Sequence, residues 1–394
     1  MSKIEELIQK HCPNGVEYRR LGDITKILRG KRLTKSQLSD EGKYPVYHGG
    51  IEPLGYYNAN NRPANTVMII NVGASAGSVG YSDVDFWSSD GCFCIKHNEV
   101  VIDRFLYYAL IGNEHSFQSK VRHAGIPTLD AKVIEDFLIP IPPLPVQEEI
   151  VRILDNFKEL EKELEKELEK RRQQYEYYRN KLLSFNQIGG GIAQQVKWVK
   201  MSEIGTFTRG SGIQKKDFVD SGVGCIHYGQ IHTYYGTFAY ETKSFITPQY
   251  ARKLKKAQTG DLVIATTSED AEGVCKAVAW LGKDEVAVST DAYIFHHNQN
   301  PKYISYLFQT DMFLEHKKRY ATGTKVIRVS GENMGKFCFP LPPLAEQERI
   351  VAILDNFETL VNDISVGLPA EIEARRKQYE YYRNKLLTFK RKSA

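Results

Sequence analysis

The chain repeats itself, and no other feature constrains its fold as strongly. Pro142-Pro143-Leu144, Gln147-Glu148, Ile150-Val151 and Ile153-Leu154-Asp155-Asn156-Phe157 return 200 residues later as Pro342-Pro343-Leu344, Gln347-Glu348, Ile350-Val351 and Ile353-Leu354-Asp355-Asn356-Phe357. The run from Arg171 to Phe185 returns as Arg375 to Phe389 at an offset of 204. Weaker echoes at an offset of 180 pair Val16–Ile24 with Val196–Ile204 and Arg29-Gly30 with Arg209-Gly210. The 394 residues are thus one unit of nearly 200 written twice, variable blocks alternating with constant ones.

The constant blocks have helical periodicity. Phe157, Leu160, Leu164, Leu168, Tyr175, Tyr178, Leu182 and Phe185 fall three, four or seven apart, the spacing of a coiled-coil seam. Prolines 140, 142, 143 and 145 suit the approach to a first turn, where Glu148 and Glu149 favour the positive end of the helix dipole. A helix is therefore predicted from near Pro145 to about Phe185, about 60 Å long. Three Glu-Leu-Glu-Lys tetrads, Glu159 to Lys170, predict a solvated stretch stabilised by (i, i+4) Glu and Lys pairs, with tetrad number setting its length. The second copy is four residues longer here and contains Gly367 and Pro369, so it is expected to kink or restart. Gly189-Gly190-Gly191 reads as a helix stop or linker.

The variable blocks read as α+β. Thr66–Ile70 and Asp261–Ala265 are expected strands, and Phe105–Leu110 and Tyr303–Phe308 short helices. No window approaches the ~18 apolar residues of a membrane span, and Met1 to Cys12 lacks a signal peptide's apolar core, which points to the cytoplasm. The six cysteines are scattered without a CxxC, so neither a disulfide framework nor a zinc site is expected.

No constellation for catalysis stands out. The glycines from Gly73 to Gly80 lack the lysine of a phosphate-binding loop and are expected to make a tight turn. Asn300-Pro301-Lys302-Tyr303 resembles the Asn-Pro-Pro-Tyr tetrad of adenine methyltransferases but lacks its second proline; a helix cap explains it. His296-His297 and Cys92-x-Cys94 lack further metal ligands and read as structural.

Binding signals are better. In the first variable block the candidates for contacting nucleic acid are Arg29, Lys31, Arg32, Lys35, Tyr47, His48, Asn71, Lys120 and Arg122. In the second they are Arg209, Lys215, Lys216, Tyr228, Gln230, His232, Arg252, Lys253, Lys255, Lys256, Lys325 and Arg328, with Lys317, Lys318 and Arg319 as a further basic cluster. Basic side chains would hold phosphates while Gln, Asn, Arg, Ser and Thr side chains read base edges. Singly, each lysine is equally a solvated surface residue.

The doubled P-x-P-P-L-x-x-Q-x-x-I-V-x-I-L-D motif, the alternating blocks and the helical tetrads together resemble the specificity subunit of type I restriction-modification enzymes. The resemblance implies two target-recognition domains separated by two long antiparallel coiled-coil helices with an internal pseudo-two-fold repeat. It places the first domain in residues 1–138, the first spacer helix in 139–188, a linker and the second domain in 189–338 and the second spacer helix in 339–394. Each domain would read one half of a bipartite site in double-stranded DNA. Two modification (methyltransferase) subunits and restriction (translocase and nuclease) subunits would be partners, and S-adenosylmethionine, ATP and Mg²⁺ would bind to them, leaving this chain non-catalytic and without cofactor. Tyr175, Tyr178, Leu182 and their counterparts Tyr379, Tyr382 and Leu386 are assigned to the helix seam, and Tyr177, Arg179, Tyr381 and Arg383 to partner docking. A stand-alone DNA-modifying enzyme and a coiled-coil adaptor without DNA contact are the alternatives.

Charge distinguishes the two blocks. Residues 16–138 carry 14 basic and 14 acidic side chains and residues 196–338 carry 19 and 14, so the net +5 lies in the second block. Mutations in the second block should therefore reduce the salt dependence of DNA binding more than mutations in the first; equal slopes in a salt titration would contradict this.

Overall fold

The computed structural model describes residues 3–96, 98–185, 196–363 and 365–392. The triple glycine at 189–191 lies outside the described residues. The chain divides into two compact units, Met1–Glu165 with Glu371–Ala394, and Lys166–Ala370. Each is α+β.

In the first unit an antiparallel sheet runs in the order Ile27–Arg29, Cys92–Ile95, Thr66–Ile70, Val79–Ser82. A smaller mixed sheet is formed by Gly55–Tyr57, Tyr44–Tyr47 and Trp87–Ser88. All five residues of Thr66–Ile70 are buried, which explains why the strand reads as an unbroken β-branched and apolar run. Helix Asp103–Ile111 contributes Phe105, Leu106, Tyr108 and Leu110 to a core that also takes Ile150, Leu154 and Tyr379 from the constant blocks. The two ends of the chain meet here. Val16 donates to Lys390 O at 2.8 Å and accepts from Lys392 N at 3.0 Å, and Gly15 precedes it with φ +93°, where a Cβ would meet the Lys390 carbonyl at 2.6 Å.

The second unit repeats this plan with additions. Its larger sheet runs Gly205–Arg209, Ala292–His297, Leu262–Ala265, Ala277–Trp280, Phe238–Ala239, and its smaller one Ser244–Ile246, Val223–Ile226, Val286–Val288, Lys256–Ala257. The register of the repeat is kept. Glu17 pairs with Ile141 and Arg20 with Leu138 in the first unit, as Lys197 pairs with Leu341 and Lys200 with Cys338 in the second. Asn300 caps helix Pro301–Leu307, its Oδ1 accepting from Tyr303 N at 3.1 Å. His296 and Cys92-x-Cys94 are structural: His296 Nδ1 lies 2.8 Å from Asp261, and both cysteines are buried in the cluster around Met68, Ile70 and Phe86.

The doubled motif joins each domain to its helix. Gln147 is fully buried; its Oε1 accepts from Ile102 N at 2.9 Å while Nε2 donates to Val100 O at 3.0 Å and Pro142 O at 2.7 Å. Gln347, equally buried, accepts from Asn300 N at 3.0 Å and donates to Pro342 O at 2.9 Å and Gln299 Oε1 at 3.0 Å. About two turns later, Asp155 accepts from Arg104 Nε at 2.7 Å and from the Tyr108 hydroxyl. Asp355 accepts from Lys302 Nζ at 2.7 Å and the Tyr306 hydroxyl at 2.7 Å. Prolines, glutamine and aspartate of the motif are thus one fastening, made twice.

The first constant block forms a single helix, Leu144–Ser184. The second forms two, Leu344–Asn362 and Leu368–Leu386, as the glycine and proline predicted. Gly367 N donates back to Asp363 O at 3.0 Å, and a Cβ on Gly367 would overlap the Thr359 and Asp363 carbonyl oxygens. In the first unit the two constant blocks run antiparallel: Phe157 stacks on Tyr382 at 5.5 Å while Glu161 meets Arg376. In the second, Phe357 stacks on Tyr178 at 5.7 Å, the equivalent pair.

The expected (i, i+4) Glu and Lys pairs of the tetrads do not exist, for a geometric reason. A four-residue repeat puts Glu four residues from Glu and Lys four from Lys. The tetrad glutamates bond elsewhere: Arg376 donates to Glu161 and Glu165 at 2.6 Å each, Lys158 lies 3.1 Å from Glu161, and Glu167 takes Arg171 from beyond the tetrads at 2.7 Å.

Replacing Gln147 with leucine removes three hydrogen bonds to backbone groups, that to Pro142 O buried and the other two part-buried, and is expected to cost about 2 kcal/mol or more in chemical denaturation. Glu149, buried, accepts from Arg152 at 2.6 and 3.0 Å and from Lys3 at 2.7 Å, and these bonds hold its carboxyl down to about 2. A depressed carboxyl stabilises the fold above its unfolded pKa and loses that contribution as pH falls through the folded one. The melting-temperature deficit of Glu149→Gln should therefore be full at pH 7 and shrink between about pH 4.3 and 2.

Candidate nucleic-acid interface

Five of the residues selected from the sequence come together in the first unit. Arg29, Arg32, Lys35, His48 and Asn71 line one cleft of about 490 Å³, with Thr128 and Asp90. The local chain explains why. After strand Ile27–Arg29, Gly30 passes so close to the next segment that a Cβ would overlap the Ser88 and Ser89 carbonyls, and Lys31 N donates to Ser88 O at 2.9 Å. The chain then makes the turn Lys35–Gln37, closed by a capping box between Thr34 and Gln37. Arg29, Lys31, Arg32 and Lys35 are left exposed on this segment.

Opposite them, His48 Nδ1 accepts from Gly91 N at 3.2 Å and lies 3.4 Å from Asp90. Asn71 follows strand Thr66–Ile70; its backbone bonds to Gly91 and Leu129, but its buried Oδ1 has no partner. A buried carboxamide left with spare bonding capacity at the wall of a cationic cleft suits the recognition of a base edge.

The second unit builds the same frame from different side chains. Gly210 meets the Val288 and Ser289 carbonyls as Gly30 meets those of Ser88 and Ser89, and Ser211 N donates to Val288 O at 2.8 Å. Lys215 and Lys216 occupy the turn Lys215–Asp217, again with a capping box. His227 stands where His48 does, held below the usual imidazole range by burial and by Lys215. Thr266 takes the place of Asn71: its N–H donates to Asp291 O at 3.0 Å and its carbonyl accepts from Val329 N at 3.2 Å. Arg209 is exposed at the end of its strand, donating to Thr290 O at 3.1 Å.

Each unit also carries a hairpin closed by matching bonds, Arg122 with Thr128 and Thr322 with Arg328. Lys120 and Arg122 flank the first, Lys325 and Arg328 lie on the second, and all four are exposed. Arg122 is paired with Asp130 at 3.0 Å. The first hairpin ends in Ile126, 70% exposed; an isolated isoleucine in a polar loop has neither charge nor a periodic pattern to mark it in the sequence.

Other selected residues sit apart from the frame. Tyr47 is buried edge-on against Phe86 at 5.4 Å. Tyr228 donates its N–H to Ser289 Oγ at 2.8 Å and packs its ring on His227 at 4.7 Å. Gln230 spends its amide on Ser244 Oγ at 2.6 Å and the His227 N–H at 3.2 Å, and His232 Nε2 lies 2.9 Å from Thr267 O. Arg252, Lys253 and Lys255 are exposed around the end of helix Pro248–Ala251, whereas Lys256 is half-buried and paired with Glu285. Lys317 turns inward and is 5% exposed. On the helices Tyr177 and Tyr381 are 57% and 61% exposed, while the half-buried Arg179 and Arg383 lie over Tyr175 and Tyr379.

Among the described residues no helix is long and apolar enough to cross a membrane, and no three His, Cys, Asp or Glu are grouped to hold a metal ion.

The type I restriction modification DNA specificity domain matches residues 13–170 and again 194–374, and the chain belongs to that family. It is 32% identical to the specificity subunit of the Escherichia coli type I restriction enzyme EcoR124I/EcoR124II, covering 95% of this chain and 94% of that one. A putative type I restriction enzyme specificity subunit of Haemophilus influenzae is 30% identical over 95% and 96% of the two chains. The fold is shared with the crystal structure of the type I restriction-modification system S subunit from M. genitalium, with a TM-score of 0.55 at 17% identity, covering 95% and 96%. A chain from a structure of the assembly of the type I system gives 0.63 at 16% identity, covering 95% and 98%.

Lys35→Ala should weaken duplex binding about equally for all sequences and lower the salt slope by about 1. Asn71→Ala should instead relax base preference at one position of a single half-site, as read by binding selection. Tyr47→Phe should change neither.

Proposed function

We propose that this chain is the DNA-reading specificity subunit of a type I restriction-modification assembly, each unit recognising one half of a bipartite duplex site. The observation that carries this is the repeated frame. Arg29, Lys35, His48 and Asn71 in one unit and Arg209, Lys215, His227 and Thr266 in the other stand on matching backbone, each unit joined through its own copy of the motif to its own constant helix. Constant backbone with changed side chains supplies two different readings from one architecture. Lys31, Arg32, Lys120 and Arg122, with Lys216, Lys325 and Arg328, contribute phosphate contacts beside them.

The helix Leu144–Ser184 fixes the unread spacer between the half-sites. Two modification subunits dock on the constant helices, one at Tyr177 and one at Tyr381, each an exposed ring braced edge-on at 5.3 Å by Tyr178 or Tyr382 of the seam. Restriction subunits join through them. Methyl transfer, translocation and cleavage, with S-adenosylmethionine, ATP and Mg²⁺, belong to those cytoplasmic partners, and this chain contributes address and geometry.

Deleting the tetrad Glu163 to Lys166 shortens the helix by roughly 6 Å and turns it by about 40°. Methylome sequencing of cells expressing the deletion with its modification partner should show a changed spacer and unchanged half-sites; an unchanged spacer would overturn the role of the helix. Native mass spectrometry should find two modification subunits on the intact chain and one on Tyr381→Ala.

A further inference from the structure

Each unit raises one bare aliphatic side chain at the same place beside its reading frame. In the hairpin closed by Arg122 and Thr128 it is Ile126, and in the hairpin closed by Thr322 and Arg328 it is Val326, each two residues before the closing position. All seven positions of the two hairpins differ in sequence, yet the pattern of burial along them is the same. Ile126 is 70% exposed and Val326 46%, while Pro127 and Ile327, which follow them, are half-buried. A lone exposed aliphatic residue is ordinary and carries no meaning. One kept at a matched position through otherwise complete divergence does.

Both hairpins are held against the residues assigned to reading. In the first unit Leu129 N donates to Asn71 O at 2.9 Å, Gly73 N donates to Pro127 O at 2.9 Å, and Val72 is bridged to Thr128, which itself lines the cleft. In the second, Val329 N donates to Thr266 O at 3.2 Å, and Thr267-Ser268 pairs with Ile327-Arg328. A glycine with positive φ bends each tip, Gly125 at +86° and Gly323 at +102°. Basic side chains stand exposed around the tips: Lys120, His123 and Arg122 in the first, the last paired with Asp130, and Lys325 and Arg328 in the second.

A two-stranded ribbon fits the major groove, about 12 Å wide, and not the minor groove of about 6 Å. The base edges there are polar apart from one group, the C5-methyl of thymine. An aliphatic side chain has no hydrogen bond to offer, so this methyl is the only feature of the groove that it can recognise. We propose that Ile126 and Val326 are specificity-determining residues, each packing on the methyl group of a thymine in the half-site that its own unit reads. The proposal rests on the DNA reading assigned to the two units, and adds to it a hydrophobic contact that the cations and the Asn71 carboxamide do not supply.

The test uses the full chain assembled with its modification subunits and unmethylated duplexes carrying the recognised site. Each thymine of either strand is replaced in turn by deoxyuridine, which removes the C5-methyl and nothing else, and binding is followed by fluorescence anisotropy. In each half-site one replacement should weaken binding about fourfold, the contribution of one buried methyl group. Ile126→Ala should weaken binding of the thymine duplex by at least as much and show no further loss when the sensitive thymine of its half-site is replaced; Val326→Ala should behave in the same way toward the other half-site. Deoxyuridine tolerated at every position overturns the proposal. So does an equal loss for Ile126→Ala on thymine and deoxyuridine duplexes, which would make the tip a wedge between base steps. In both of those cases the complex still prefers its site to a scrambled duplex and the DNA reading stands; loss of that preference in the unaltered complex would overturn the reading and the proposal together.

Discussion

A buried glutamine with every bonding group satisfied holds each half of this protein to its helix. Gln147 and Gln347 have no contact with water, and each bridges the loop before a domain helix and the proline turn that starts a constant helix. An amide in that position must be fully bonded or it costs more than the contact gains, so the joint forms in one geometry or not at all. Asp155 and Asp355 add a second point of attachment, each taking a tyrosine hydroxyl and a cation. Two attachments prevent rotation about either one.

Beyond the joint, backbone and side chains divide the work. Gly30 and Gly210 let a loop press against the neighbouring strand end, and the resulting bonds are matched in both units. What projects from that backbone differs. One unit presents Arg32 and Asn71, the other Gly212 and Thr266, and Thr266 satisfies its hydroxyl on Asp291 O at 3.1 Å where Asn71 leaves an oxygen free. New specificity can arise at such positions without disturbing the packing that holds them.

Much of this was legible in the sequence because repetition and helical period are global signals. The long helix starts one residue before the expected Pro145, and the break before Pro369 follows from the missing donor. The strands Thr66–Ile70 and Leu262–Ala265 declared themselves as buried apolar runs. The purpose of the doubled motif was not legible, since two of the three partners of Gln147 are backbone groups 45 and 47 residues away and leave no residue pattern. Charge clusters were legible only as composition. The Arg29 to Lys35 segment kept its cations outward, whereas Lys317 turned into a cavity and Gln230 into a cap, because burial depends on which face a short helix presents. The tetrads were misjudged for a simpler reason: a period of four sets like charges beside like, and the glutamates find Arg376 instead.

The central claim is that two independent readers share one fixed frame. Its most direct test exchanges residues 16–138 for the corresponding block of another member of the family, leaving both constant blocks intact, and sequences the methylome of cells expressing the hybrid with its modification partner. One half-site should change to that of the donor while the other half-site and the spacer stay as they were. A change in both half-sites, or in the spacer, would show that the units do not read independently and would contradict the account.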